Sequence, residues 1–199
     1  MNSKSLLETF QPTGHLEIIK TYLNGTREVV FSDHNVITVG LGVNLALMFG
    51  ADVTTSDISR HQIRYFQLGT GGSSPYSVSS IVRLDTQFTE SDYGDTSMEL
   101  AQHYNTDGSG GTTLQHFVRL SNDSIVKVSS DQVTYIIELD SNTANGVSVS
   151  EIGLFADDPF GLSILGAGIK GSLLCAYRFF GAISKSSTFS LTFKWTISF

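Results

Sequence analysis

The glycine-rich run Gly69-Thr70-Gly71-Gly72 is the first place where the sequence suggests chemistry, because it follows a predicted strand. Glycine-rich loops in this position cradle phosphates in nucleotide-binding proteins. The dinucleotide fingerprint needs a third glycine where this chain has Ser74, and the P-loop needs a Gly-Lys-Ser/Thr triplet that the run lacks. The pattern therefore favours a structural turn over a phosphate site.

Metal ligation is the second chemistry to consider. The chain has five histidines: His15, His34, His61, His103 and His116. No two are separated by two or four positions, and none lies in a Glu-x-x-His context, so no single element carries a metal motif. Spacing does not test whether histidines from separate strands meet. We predict surface or partly buried histidines, with no metal and no cofactor.

Catalytic nucleophiles and acids are also poorly supported. Cys175 lies in the apolar strand pattern at 173–177, which predicts an inert core thiol, and no Gly-x-Ser-x-Gly elbow occurs. Glu138, Asp140 and Glu151 fall on neighbouring predicted strands, but any acidic β-protein contains such pairs. We therefore predict no catalytic residue and no enzymatic activity.

Composition limits the class of protein. Of 199 residues, 40% are hydrophobic and 11% aromatic, which excludes disorder, while only 16% are charged against about 25% in ordinary soluble domains. A surface so poor in charge is typical of proteins covered by partners. The net charge of −7, without a basic cluster, disfavours nucleic acid as a partner.

The cysteine count, the first residues and the length of the apolar runs indicate the compartment in which the chain is made. One cysteine allows no intramolecular disulfide, and the first eleven residues lack the pattern of a signal peptide. No apolar run approaches the roughly 18 residues of a membrane span. We expect a chain made in a cytoplasm, with no membrane partner.

Alternation of apolar and polar residues predicts most of the elements. The segment 189–199 alternates strictly, which predicts a last strand with one buried face. Its core-facing side chains are Phe189, Leu191, Phe193, Trp195, Ile197 and Phe199. Asn24-Gly25 between apolar runs predicts a hairpin, and residues 42–49 predict a short helix. Eight to nine short strands predict an all-β fold, an antiparallel β-sandwich or a jelly-roll-like arrangement.

The chain 1–199 is predicted to be one domain with a long excursion at 76–111. This segment is rich in Ser, Asp, Gly and Thr and longer than structureless loops usually are. We predict an assembly arm that packs on a neighbouring subunit. Its apolar anchors would be Ile81, Val82, Leu84 and Phe88.

Four separated signatures carry a resemblance. They are Asn35–Gly40 with the short helix, Phe66–Gly72 with the later Leu84, Glu151–Phe155, and Ala176–Phe180 with Lys185 and the last strand. In this order they resemble a broad family of tailed-bacteriophage virion proteins, β-rich components of tails, fibres or capsid decoration. The resemblance implies a non-enzymatic structural protein of the virion, in contact with other virion proteins and copies of itself. The resemblance assigns a functional role to no particular residue of this chain.

A carbohydrate- or receptor-binding sandwich is the alternative. The tyrosines Tyr76, Tyr93 and Tyr104 of the excursion are side chains that could stack on sugar rings. A hydrolase is disfavoured because no nucleophile or metal motif is recognisable.

Overall fold

The computed structural model of the protein describes residues 12–50, 61–71, 84–94, 100–106, 112–158 and 171–199. The strands are, in chain order, β1 (Thr13–Tyr22), β2 (Arg27–His34), β3 (Val36–Ile37), β4 (Ile63–Gly69), β5 (Leu100–Thr106), β6 (Thr112–Arg119), β7 (Ile125–Lys127), β8 (Gln132–Leu139), β9 (Ser148–Asp158), β10 (Gly171–Ser184) and β11 (Phe189–Ser198). The helices are α1 (Val39–Gly50) and the single turn α2 (Glu90–Tyr93). Neither helix is long and apolar enough to cross a membrane.

Two antiparallel sheets form the all-β sandwich that the sequence predicts. The first has the order β2-β1-β11-β8-β7, and the second β3-β10-β9-β4-β6-β5. Apolar side chains of both sheets meet in one large core, to which the first sheet gives Leu16 and Trp195 and the second Ile152 and Leu154. A smaller cluster lies on the opposite face of the second sheet, because Tyr65, Phe117, Phe155 and Tyr177 alternate with core residues along their strands.

The last strand confirms the predicted alternation over most of its length. Five of its six predicted core residues are buried: Phe189, Leu191, Phe193, Trp195 and Ile197. The prediction is wrong for Phe199, which is 40% exposed and lies beyond the end of β11. The strand has ended at Ser198, so the alternation no longer directs Phe199 into the core.

The predicted hairpin joins β1 to β2. Gly25 has a φ of 84°, the left-handed conformation that glycine adopts without steric cost, and Tyr22 N–H donates to the Thr26 carbonyl oxygen at 2.9 Å. Ile18 pairs with Phe31, and Ile19 pairs with Val29. Val30 is therefore an extra residue, a β-bulge in the edge strand of the first sheet.

Helix α1 contains the predicted 42–49 segment and extends it at both ends. Leu41 and Asn44 are buried, and the helix packs on β10. Asn44 Nδ2 donates to the His61 carbonyl oxygen at 2.7 Å, and Asn44 Oδ1 lies 3.2 Å from His61 Nδ1. The buried amide thus attaches the helix to the residues that precede β4.

The prediction for the excursion at 76–111 is wrong for the residues of it that the structure describes. Leu84 and Phe88 are completely buried in the chain's own clusters, as is Tyr93, so the first two are not anchors on a neighbour and Tyr93 does not stack on a sugar. Residues 100–106 form β5, an unpredicted strand paired with β6. Ile81, Val82 and Tyr76 lie outside the described residues, and so does the side chain of Tyr104.

Candidate functional site

A buried glutamate on β9 organises the loops at one end of the second sheet. The carboxylate of Glu151 is inaccessible to solvent and accepts four hydrogen bonds from the described residues. Oε1 accepts from the backbone N–H groups of Gly71 at 3.0 Å and Thr86 at 2.7 Å. Oε2 accepts from the backbone N–H of Asp85 at 2.9 Å and from the Tyr177 hydroxyl at 3.1 Å. We call this carboxylate and its four donors the Glu151 clamp.

The clamp holds a crossing segment, residues 84–88, beside the end of β4. Thr70 N–H donates to the Thr86 carbonyl oxygen at 2.8 Å, and Phe88 N–H donates to the Leu68 carbonyl oxygen at 2.7 Å. The Ser150 hydroxyl donates to the carbonyl oxygen of Gly71 at 2.6 Å. The segment therefore extends the second sheet locally, and the described residues form one regular bridge there, between Gly69 and Gln87.

Glycines make this close approach possible. A Cβ on Gly69 would lie 2.4 Å from Glu151 Oε1 and 2.5 Å from the Thr86 carbonyl oxygen. A Cβ on Gly71 would lie 2.5 Å from the same carboxylate oxygen. In the described part of the glycine-rich run, Gly69 ends β4 and the Gly71 N–H binds the protein's own carboxylate, while Gly72 lies outside the described residues.

Leu84 belongs to the smaller cluster on the face of the second sheet opposite the main core, which we call the outer cluster. It lies over Gly153, where a Cβ would come within 2.8 Å of Leu84 Cδ1 and 2.7 Å of Leu174 Cδ1. The motif at 151–155 thus divides by alternation. Glu151, Gly153 and Phe155 face the crossing segment and the outer cluster, while Ile152 and Leu154 face the main core.

Three of the four sequence signatures meet at this clamp, namely the end of the 66–72 run with Leu84, the 151–155 motif and the strand at 176–180. The only chemical role that the sequence analysis considered for the Glu151 carboxylate was membership of an acid pair. The missed signal was its place in an otherwise apolar strand, where a carboxylate needs several donors to be buried. Four donors occupy about all the acceptor positions of a carboxylate, so this group is suited to fixing backbone.

Neither of the other candidate acids, Glu138 and Asp140, contributes to the Glu151 clamp. Glu138 is exposed on β8 of the first sheet, remote in topology from Glu151 on the outer face of the second. Asp140 Oδ1 accepts from the backbone N–H groups of Asn142 at 2.8 Å and Thr143 at 2.9 Å, which closes a turn. Glu151 is thus bound by its own donors, and Asp140 by the backbone of its turn.

The predicted inert thiol is buried. Burial raises the pKa of Cys175 to about 12, so the reactive thiolate is scarce at neutral pH.

The histidines are mostly scattered. Among the described residues no group of three or more His, Cys, Asp or Glu side chains could hold a metal ion. His61 binds Asn44, and His116 is half-buried on β6. The structure brings together only two of the described imidazoles, those of His15 and His34, whose ring centroids are 5.8 Å apart.

An apolar surface lies on helix α1. Val39 is 54%, Val43 40% and Phe49 82% exposed, and Ala46 is exposed among them. At 100° per residue these four side chains fall within about 120° of arc, and we call them the α1 face. The helix contains no charged residue in its 12 positions.

A groove of about 420 Å³ lies beside the clamp. Its walls combine hydroxyl, carboxylate and aromatic groups: Thr70, Asp85, Thr86, Ser150 and Phe179. Phe179 is partly exposed at the edge of the outer cluster.

Comparison of the chain with protein-family models, with curated proteins and with solved structures finds no match.

Proposed function

We propose that this chain is a non-enzymatic structural component of a bacteriophage particle, placed in the tail, neck or baseplate or on the capsid surface. It is made in the host cytoplasm and acts through contacts with other virion proteins and with copies of itself. The α1 face is the observation that carries the proposal. An exposed, uncharged apolar helix face on a rigid sandwich is typical of a surface that another subunit covers.

The α1 face permits contact with a second copy of the chain in spite of the chain's net charge. Each copy carries a net charge of −7, so two copies repel each other wherever acidic surfaces meet. Helix α1 offers 12 consecutive uncharged residues, and apolar contact there avoids that repulsion. The face is smaller than the roughly 800 Å² per partner of a stable complex, so pairing in solution is weak and further particle contacts are needed.

Particle incorporation tests the proposal. We expect peptides of the chain in virions purified by sedimentation, and at least a tenfold lower content when Phe49→Ser replaces the natural chain. Leu23→Ser is the matched control, because Leu23 is 75% exposed at the hairpin tip, away from α1. Absence of the natural chain from intact particles, or equal loss in both variants, would contradict the proposal.

One observation supports the carbohydrate-binding alternative, namely the groove beside Phe179. Hydroxyl and carboxylate groups bind sugar hydroxyls, and a partly exposed aromatic ring packs on the apolar face of a sugar. A glycan array probed with the natural chain and with Phe179→Ala tests this function. Binding lost in the variant would support it, and no binding at millimolar glycan would end it.

A further inference from the structure

The histidine pair on the first sheet carries a separate inference. His15 on β1 and His34 on β2 are direct cross-strand partners, and both side chains are exposed. Their rings meet edge to face, with an interplanar angle of 81° and centroids 5.8 Å apart. We propose that these two imidazoles bind one borderline transition-metal dication, of the class of Zn²⁺ and Cu²⁺.

The strand register favours such chelation. Asn35 N–H donates to the Gly14 carbonyl oxygen at 3.0 Å, which makes these two residues a hydrogen-bonded pair. Hydrogen-bonded and non-hydrogen-bonded pairs alternate along antiparallel strands, so His15 and His34 form a non-hydrogen-bonded pair. Side chains come closest at such pairs, with Cα atoms about 4.5 Å apart.

The ring separation fits one shared ion. An imidazole nitrogen binds zinc at about 2.1 Å, which puts the ring centroid about 3.2 Å from the metal. Two rings at tetrahedral to wider angles then have centroids about 5–6 Å apart, the range that contains the 5.8 Å of His15 and His34.

A serine hydroxyl lies within hydrogen-bond distance of one ring of the pair. His15 Nε2 lies 3.1 Å from Ser32 Oγ. In the tautomer that donates from Nε2 to this hydroxyl, Nδ1 carries the lone pair that binds metal. Ser32 is the next residue but one to His34 on the same strand, so the three side chains share one face of the sheet.

Two protein ligands leave the remaining positions of the ion to water or to a side chain of another molecule. The site is therefore weaker than a structural zinc site with four protein ligands. Imidazole is a good ligand for zinc, copper and nickel and a poor one for magnesium and calcium. Selectivity for borderline over hard cations is thus part of the proposal.

Metal titration of the full chain tests it. We expect calorimetry with ZnCl₂ to show one saturable site, and Cu²⁺ to give an electron paramagnetic resonance spectrum with two nitrogen ligands. His15→Gln and His34→Gln should each weaken binding by about tenfold or more, because each removes half of the protein ligands. His116→Gln is the matched control, since His116 lies on the second sheet.

Thermal unfolding supplies an independent readout. Zn²⁺ should raise the unfolding midpoint of the natural chain and of His116→Gln but not of the two pair variants, while Mg²⁺ should have no effect. Circular dichroism verifies that each variant is folded before titration. Binding unchanged in both pair variants, or one-nitrogen copper coordination in the natural chain, would overturn the proposal. Neither outcome depends on particle assembly.

Discussion

The Tyr177 hydroxyl donates to Glu151 Oε2 at 3.1 Å across neighbouring strands of the second sheet. The two residues are diagonal neighbours, because Tyr177 pairs with Gly153 and Phe179 pairs with Glu151. The phenol thus fixes one oxygen of a carboxylate whose other donors, among the described residues, are backbone N–H groups. The rigid β9–β10 pair thereby determines where the glycine-rich run and the crossing segment lie.

Glu151→Gln should reduce the free energy of unfolding by about 2–4 kcal/mol. The amide removes the charge and turns an NH₂ group toward donors, which leaves buried N–H groups without acceptors. Urea titration measures the loss, and hydrogen exchange should accelerate at Gly71, Asp85 and Thr86. Glu138→Gln, at an exposed site on β8, should change stability by less than about 0.5 kcal/mol. Similar effects in both variants would refute the role of the clamp.

Gly153→Ala should cost about 1–3 kcal/mol, because its new methyl group would overlap Leu84, Phe155 and Leu174. Leu84→Ala in the same chain should recover part of this cost, giving a non-additive double-mutant cycle in chemical denaturation. Gly42→Ala is the control, and it should have the opposite effect on stability. Nothing lies within 4 Å of a Cβ there, and alanine in a helix gains about 0.5–1 kcal/mol over glycine. Strict additivity of the two substitutions would show that Leu84 does not cause the strain.

Trp195→Ala should cost about 3–5 kcal/mol, because the indole is completely buried in the main core. Thr196 faces the other side of β11, where its hydroxyl lies 2.8 Å from that of Thr134. Thr196→Ala should therefore cost only about 1 kcal/mol, the net value of one hydrogen bond. Denaturant titrations that found equal costs would contradict the assignment of the two faces.

Stability should fall as the pH rises above about 9, partly through Cys175. In the folded chain burial raises the pKa of this thiol from 9.0 to about 12. Between these values the unfolded chain releases a proton that the folded chain keeps, so folding becomes less favourable as pH increases. By about pH 10.5 this group alone removes about 2 kcal/mol.

Burial also raises the pKa of Tyr93 and Tyr135, which adds loss of the same sign above their ordinary value of 10.0. Cys175→Ala should therefore have a lower free energy of unfolding than the natural chain at about pH 8. Between pH 8 and pH 10.5 this free energy should fall less in the variant than in the natural chain. Urea titrations at the two pH values measure the difference. Parallel declines would mean that the thiol does not contribute.

The strands were predictable from sequence where one face is buried and the other is polar. β11 and the hairpin of β1 and β2 show that pattern, and Asn24-Gly25 specifies the turn. The crossing segment was not predictable, because Leu84 and Phe88 enter two different clusters and leave no period of two. The clamp was only partly predictable. Its glycines and Glu151 stand out in the sequence, but their meeting depends on contacts between residues about 80 positions apart.

The pairing of β1 with β11 has a consequence for how the chain folds. Thr13 lies opposite Ser198, so the first sheet cannot be completed before the ribosome has made residues 189–198. The entropy of closing so large a loop opposes folding before the strand contacts compensate for it, and proteins dominated by such distant pairs fold in milliseconds to seconds. Until then the apolar face of the nascent hairpin lacks its partner strand. Chaperones that shield apolar surface should therefore act on this chain during synthesis.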